Sequence, residues 1–369
     1  MKSCRKSIFR NTLKENQEKT LFHFSRLFNR QSIKGFLPRN RQALICLKKI
    51  DLEGISRLLD SGFPLVQCLE LLEDKTNHEA FKLIKTKLSE GYAISEFIEQ
   101  IIPQDLKSHM ISFLQFLPLS ESIKLSLKLN EYDHSTRYQL VKSLAAPLLM
   151  LAGCLAGIWL FSVLCFPLLI EMMQDFNLEL GWIKTIGVLI NCISAFILCI
   201  TLLSMIIILF FIQPKRIVMG YILLCRMHLA KPVRHFLSTQ FAVYFNECVK
   251  LGNSTQATLN MLQKIKSKPL IVFLGYHVEQ ALLEGKTMEE AMGHQYLDTS
   301  LRRFMQIAIH SSSLKEMLIS YIQQNEEKGK ALCKKWTNRI TVLAYGSIGI
   351  LIVLIYQILL LPLSIIGQV

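Results

Sequence analysis

Cysteine has the widest potential chemistry in this chain, because its thiolate can bind zinc, form disulfides or act as a nucleophile. The sequence contains ten cysteines. No two have the Cys-x-x-Cys spacing of zinc sites and redox motifs. We therefore expect no metal site and no disulfide framework, and we interpret the cysteines as small apolar side chains that fill space between helices.

The other residues that could perform catalysis also lack a recognisable arrangement. The nine histidines are scattered, and the sequence has no His-Glu-x-x-His helix, glycine-rich phosphate loop or serine elbow. Most aspartates and glutamates lie on predicted amphipathic helix faces, where a solvated surface is the default. We predict no catalytic, cofactor-binding or metal-binding residue and no cofactor, and we expect a protein that is not an enzyme.

The strongest pattern in the sequence is an internal repeat. Two glycine turns and a late proline occur in the same order in each half, with matched residues 190 to 195 positions apart. Each copy contains a leucine-rich helix, a first turn, a second Glu-Gly turn and a long apolar run, which indicates a duplication. The matched residues are Gly62 and Gly252, Gly91 and Gly285, and Pro167 and Pro362.

These glycines are predicted to end helices. Gly62 and Gly252 follow helical segments at the position where a left-handed residue closes the last turn. Ser254 can cap the next helix in the second copy. Thr287 begins a capping box, whereas the first copy has Ala93 at that position and should have a cap weaker by about 1 kcal/mol. Ligand contact is the alternative role for such glycines, and helix termination is the better explanation.

Three long runs contain no charged residue: 143–170, 185–213 and 340–369. Each exceeds the ~20 residues that a helix needs to cross a bilayer. The composition, 51% hydrophobic and 19% charged, is also typical of a protein with several spans. We predict an all-α membrane protein with two repeated cytoplasmic helical bundles, 46–142 and 214–339, and three transmembrane helices, two in 143–213 and one in 340–369.

Charge placement predicts the orientation of these spans. The loop 171–184 between the first two runs contains three acidic residues and one lysine, whereas basic residues flank the other ends. By the positive-inside rule the N-terminus and both bundles are cytoplasmic, and the loop and C-terminus lie outside the cell membrane. The net charge of +14 is explained by this topology, so no direct nucleic-acid binding is expected. The flanking basic residues are Lys128, Arg137, Lys142, Lys215, Arg216, Arg226, Lys330, Lys334, Lys335 and Arg339.

The N-terminal segment 1–45 is strongly basic. Leu21, Phe24, Leu27 and Phe28 recur at helical spacing within it, and no apolar signal-peptide core follows its first basic residues. Two interpretations remain open. The segment is either an amphipathic helix that binds anionic lipid or a partner, or a solvated tail with one short helix.

Two long helices are expected to connect the bundles with the spans. A capping box at Ser313 begins a segment without proline until Pro362, which predicts a rod of 45–50 residues and roughly 70 Å. Gly329 is its expected weak point. Pro147 has no counterpart in the second copy and should bend only the first rod.

The paired Leu-Leu-x-x-Gly turns, the Glu-Gly turns, the long helices and the apolar-Pro-Leu run ends resemble the type II secretion F / type IV pilus PilC platform proteins. The resemblance covers about residues 45–369. The Gly-Glu dipeptide usual before the long helix is missing, and Phe116 to Ser122 and His310 to Ser313 take its place. This departure resembles the divergent Gram-positive competence version of the family, which is ComGB-like.

The resemblance implies a membrane platform that assembles a competence pseudopilus. Its implied partners are a hexameric cytoplasmic assembly ATPase, the major pseudopilin and minor pilins, membrane lipid, and further copies of the chain in a homo-oligomer. A platform for type II secretion or for an adhesive pilus is the alternative within the family. A small transporter or channel subunit is the alternative outside it, although such a protein would need ionisable groups inside the membrane, and the predicted spans offer Asn191 and scattered serines and threonines but no charged residue.

Overall fold

In a computed structural model of the chain, residues 46–165, 216–227, 230–311 and 314–366 are described, with isolated positions between 167 and 213. These residues form helices joined by turns, and no strand occurs among them, so the all-α prediction is confirmed for this part of the chain. None of the helices in the described part meets the length and hydropathy needed to cross a bilayer. The segment 1–45 and most of 171–213, including the predicted external loop and second span, lie outside the described residues.

The first copy of the repeat consists of six helices. Four short helices and a 3-10 turn (Ile98–Gln100) precede a fifth helix, and a much longer sixth helix then ends in a π-helical segment, Phe161–Cys165. The helices are α1 (Lys49–Asp60), α2 (Leu65–Leu71), α3 (His78–Ser89), α4 (Ile94–Phe97), α5 (Gln104–Phe113) and α6 (Leu119–Leu160).

The second copy has the same order of helices, preceded by one more. The helices α8 to α13 correspond one by one to α1 to α6, as the sequence repeat predicts. They are α7 (Ile217–Arg226), α8 (Lys231–Lys250), α9 (Thr255–Gln263), α10 (Pro269–Leu283), α11 (Met288–Met292), α12 (Thr299–Ser311) and α13 (Leu314–Ile366).

The chain forms two compact units. The first includes the described part of 1–127 with 213–219 and 265–269. Its core is a cluster of buried apolar side chains from α1 to α6, and each fully buried large side chain contributes about 1.5–3 kcal/mol. Its most buried members are Leu52, Leu69, Phe81, Ile101, Leu106, Met110 and Ile123.

The second unit includes the described parts of 128–212, 220–264 and 270–369. Within it α8 and α12 both pack against α13, and α9 packs against α8. Buried aromatic side chains, Phe241, Tyr244 and Phe245 from α8 and Tyr321 from α13, occupy its core. The long helix α13 therefore begins as a member of this bundle.

All four repeat glycines have positive φ, 88° at Gly62 and 81° at Gly91, Gly252 and Gly285. This is the left-handed conformation that the sequence predicts for a residue after the last helical turn. At Gly62 the closing bonds are complete, since its N–H donates to Leu59 O at 3.0 Å and the next N–H donates to Leu58 O at 3.2 Å.

Each of the two long helices contains a proline. Pro147 lies buried inside α6 without ending the helix, and the bend at this residue stays a prediction. α13 continues through Pro362 to Ile366, so it is slightly longer than the predicted rod of 45–50 residues. Only four helical residues follow Pro362, so its missing N–H removes just one bond in the final turn. At 53 residues α13 is about 80 Å long, and Ser313 and its predicted cap lie outside the described residues.

Candidate functional site

Polar contacts between the long helices and α8 are the features of the second unit most suited to a mechanical role. Asp133 of α6 accepts hydrogen bonds from the Gln240 amide and the Tyr244 hydroxyl of α8, each at 2.7 Å. The Tyr244 ring is fully buried. Burial, and then the neighbouring Asp133 carboxylate, raise the pKa of Tyr244, so its hydroxyl remains a donor. We call this set, Asp133, Gln240 and Tyr244, the α6–α8 seam.

Two further contacts attach α6 to its neighbours in this unit. The Lys128 ammonium lies 2.7 Å from the Glu247 carboxylate, which also pairs with Lys250 at 2.8 Å. Burial raises the pKa of Glu247, but the hydrogen bonds from the two lysines outweigh it and the net shift is downward. The Thr337 hydroxyl of α13 donates to the Ser143 carbonyl of α6 at 3.2 Å. α6 therefore has polar contacts with both α8 and α13.

A second polar cluster lies where α8, α12 and α13 meet. The His235 ring of α8 lies 3.0 Å from the Asp298 carboxylate through Nδ1 and 3.1 Å from the Asn325 carbonyl of α13 through Nε2. Asp298 precedes α12, and its N–H donates to Ser238 Oγ at 2.7 Å. Its carboxylate also accepts from the Ser300 N–H at 3.3 Å, as an N-cap does. We call this set the three-helix junction.

The chemistry of the junction favours a charged histidine. Both partners of the ring, a carboxylate and a carbonyl, are acceptors, so both ring nitrogens must carry protons to bond them. The hydrogen bond with Asp298 raises the pKa of His235 above 6.5, against the effect of burial. The bond from His235 in turn lowers the pKa of Asp298 to about 2. A ring held in this way joins three helices, and it has no free nitrogen with which to serve as a general base.

A third group combines histidines and aromatic rings. His277 of α10 stacks on His294 with ring centroids 5.0 Å apart, and Phe273 and Tyr296 lie edge-on or tilted around it. The Tyr221 hydroxyl of α7 donates to the Tyr296 carbonyl at 2.6 Å. Burial, and then the second ring, lower the pKa of His277 to about 4, so the pair is neutral at pH 7. Across the described residues no group of three or more metal-binding side chains occurs.

Comparison with known protein families gives a match over part of the second copy of the repeat. Residues 241–362 match the family model for type II secretion system (T2SS), protein F. This T2SSF region begins within α8 and ends near the end of α13, so it covers about a third of the chain and most of the second copy of the repeat. No curated protein matches the chain. The match supports the type II secretion F / PilC family expected from the sequence.

The repeat residues occupy helix ends inside and outside the T2SSF region. Gly252 and Gly285 end α8 and α10, and Gly62 and Gly91 end the corresponding α1 and α3, so the four glycines do not converge on one site. Pro147 lies within α6. Pro167 is one of the isolated described positions, and its immediate neighbours lie outside the described residues.

The predicted caps follow the residue chemistry. Thr287 forms the predicted capping box with Glu290. Ser254 accepts from the Ala257 N–H at 3.2 Å. Ala93 precedes α4 without a side-chain cap. The eight cysteines whose side chains are described are free, and Cys68 and Cys248 are fully buried.

The sequence did not reveal the seam or the junction. Asp298 followed by Thr-Ser is a recognisable N-cap signal, so its position before α12 could have been anticipated. Its partner His235 is 63 residues away, and Asp133 and Tyr244 are separated by 111 residues. Nothing in the local sequence pattern specifies such pairs.

Proposed function

We propose that the chain is the membrane platform protein of a competence pseudopilus and couples a cytoplasmic assembly ATPase to pilin polymerisation during DNA uptake. The observation that carries the proposal is the T2SSF match over α8 to α13. The same six-helix order in α1 to α6 supports it, because a platform of the type II secretion F / PilC family is built from two such repeats. At the coarser level, the match indicates a secretion or pilus platform protein.

The helices offer a physical route for this coupling. α13 begins as a packed member of the second bundle and continues without interruption through most of the predicted span 340–369. A helix with an intact backbone ladder transmits displacement along its axis. The α6–α8 seam and the Thr337 contact join α6 to this assembly. Movement imposed on the second bundle would thus reach the membrane through α6 and α13 together.

The chemistry in this proposal belongs to the partners. The ATPase supplies the free energy and the pilins supply the polymer, while the platform binds both and is not itself an enzyme. The remaining elements are a multi-pass location in the cell membrane with the N-terminus inside, contact with membrane lipid, assembly into a homo-oligomer, and no direct contact with DNA.

Deletion of the gene in its native host tests the function. The strain should lose surface pilin and uptake of labelled DNA, and the full-length chain should restore both. Loss of protein secretion with normal DNA uptake would instead identify a type II secretion platform, and loss of adhesion alone would identify an adhesive pilus. An unchanged phenotype in all three assays would contradict the proposal.

Topology reporters test the membrane part of the proposal. A reporter after Lys142 or within 220–335 should read cytoplasmic, and one within 172–183 should read extracytoplasmic. The reason is the excess of lysine and arginine on the predicted inner side. An extracytoplasmic reading from 220–335 would contradict the three-span topology.

A further inference from the structure

The outer face of α2 differs from the same face in the second copy of the repeat. Phe63, Val66 and Leu71 on and just before α2 are 42%, 45% and 63% exposed. The equivalent residues at the start of α9 are Asn253 and Gln256, which are polar. The inner faces match, since Leu69 and its equivalent Leu259 are both fully buried.

Leu71 shows the difference most directly. Its equivalent in the second copy is Met261, which is 2% exposed. Met261 is therefore covered in the folded chain, whereas Leu71 is open. Val66 and Leu71 both lie on the half of α2 opposite the buried Cys68 and Leu69, so their exposed apolar surface is open to a partner.

The same face is acidic in the first copy alone. Glu70 lies on the exposed side of α2, and Asp74 follows the helix and is also exposed. Their equivalents in the second copy are Asn260 and Lys264. An exposed face with apolar side chains and two carboxylates fits a partner that is apolar and basic. It does not suit anionic lipid or the same face of a second copy, because like charges repel.

The chain contains a segment with that chemistry. Residues 20–45 have no acidic residue, and within them Leu21, Phe24 and Leu27 recur at helical spacing beside Arg26 and Arg30. The 15 residues between Arg30 and Cys46 can span roughly 50 Å. α1 is only about 18 Å long, so the segment can reach the outer face of α2.

We propose that the outer face of α2 binds the chain's own basic segment 21–30, with Phe63, Val66 and Leu71 against its apolar residues and Glu70 and Asp74 beside its arginines. This contact covers Leu71, whose equivalent Met261 is already buried. It also selects the partner-binding interpretation of the basic segment, with the partner supplied by the chain itself.

Photo-cross-linking in the full-length chain tests the contact. A benzoylphenylalanine at Val66 should cross-link to a peptide from 21–30 of the same chain, identified by mass spectrometry on the monomer band. The matched control at Gln256, the equivalent position in the second copy, should give no such peptide. Glu70→Arg should lower the yield about fivefold, and Glu70→Arg combined with Arg26→Glu should restore it.

The other outcomes each contradict the proposal. A cross-link from Val66 to lipid would assign the face to the membrane, and one to a second copy of the chain would assign it to the homo-oligomer. A cross-link to a different protein would identify an external partner. The absence of any cross-link, or a charge swap that fails to restore the yield, would show that the segment does not bind there.

Discussion

Replacement of Gly252 by valine should loosen the second unit locally and leave the first unit unchanged. Gly252 has φ of 81°, and a Cβ added there would meet no atom within 4 Å. The cost is therefore conformational alone, about 1–3 kcal/mol for a β-branched residue with positive φ. The corresponding change at Gly62, where φ is 88° and the space is equally open, should affect only the first unit.

Two buried cysteines allow each unit to be monitored in the full-length chain. Cys248 lies one turn before Gly252, and Cys68 lies in α2 after Gly62; both are fully buried. Burial raises the pKa of the Cys248 thiol to about 12, so labelling at neutral pH requires local opening. A loss of 1–3 kcal/mol should accelerate labelling of Cys248 about 5- to 150-fold in Gly252→Val. Labelling of Cys68, resolved by peptide mass spectrometry, should be unchanged.

Gly275→Ala provides the matched control. Gly275 lies inside α10, and an added Cβ would make only ordinary contacts, the nearest at 3.5 Å to the Gln263 side chain. Alanine in a helix interior is about 1 kcal/mol more favourable than glycine, so labelling of Cys248 should slow or stay constant. Normal labelling in both valine variants, together with normal protein levels and pilus assembly, would refute the helix-termination argument.

Three further changes test the contacts of the second unit. Tyr244→Phe removes one of the donors to Asp133 and should cost about 1.5–3 kcal/mol, measured as faster proteolysis of the full-length chain. Because burial lowers the pKa of His277 from 6.5 to about 4, its neutral form stabilises the fold above pH 6.5, and this stability is lost as the pH falls toward 4. The free energy of unfolding should therefore fall by about 2 kcal/mol between pH 7.5 and pH 5 because of His277. His277→Phe should abolish this part of the pH dependence, measured by thermal unfolding at each pH; an unchanged dependence would contradict the assignment. Ala331→Pro should interrupt α13 at a cost of roughly 3 kcal/mol and reduce surface pilin while the chain and its ATPase remain in the membrane; normal filament numbers at wild-type protein level would show that rigid coupling through α13 is unnecessary.

Local features of the fold could be predicted from the sequence because a few adjacent residues determine them. Gly62 and Gly252 end helices since glycine accepts positive φ without a steric cost. Thr287 and Ser254 cap helices because their hydroxyls accept from backbone N–H groups three residues later. The repeat then extends each of these local predictions to the second copy.

Features that depend on how helices pack could not be predicted. The contact between His235 and Asp298 requires one particular offset between α8 and α12 along their axes. The spacing of apolar residues in the sequence does not specify that offset. Gly329, the predicted weak point, lies inside the continuous α13, and an added Cβ there would approach the Phe236 ring at 3.3 Å. Its small size allows close packing against α8.

Purification of the tagged full-length chain from native membranes is the most direct test of the platform proposal. We expect a secretion-type assembly ATPase and the major pilin to copurify with it, and we expect copurification to persist in Gly275→Ala, which preserves the fold. Recovery of neither partner, together with ATP-independent solute flux when the chain alone is placed in liposomes, would contradict the proposal and identify a transporter instead.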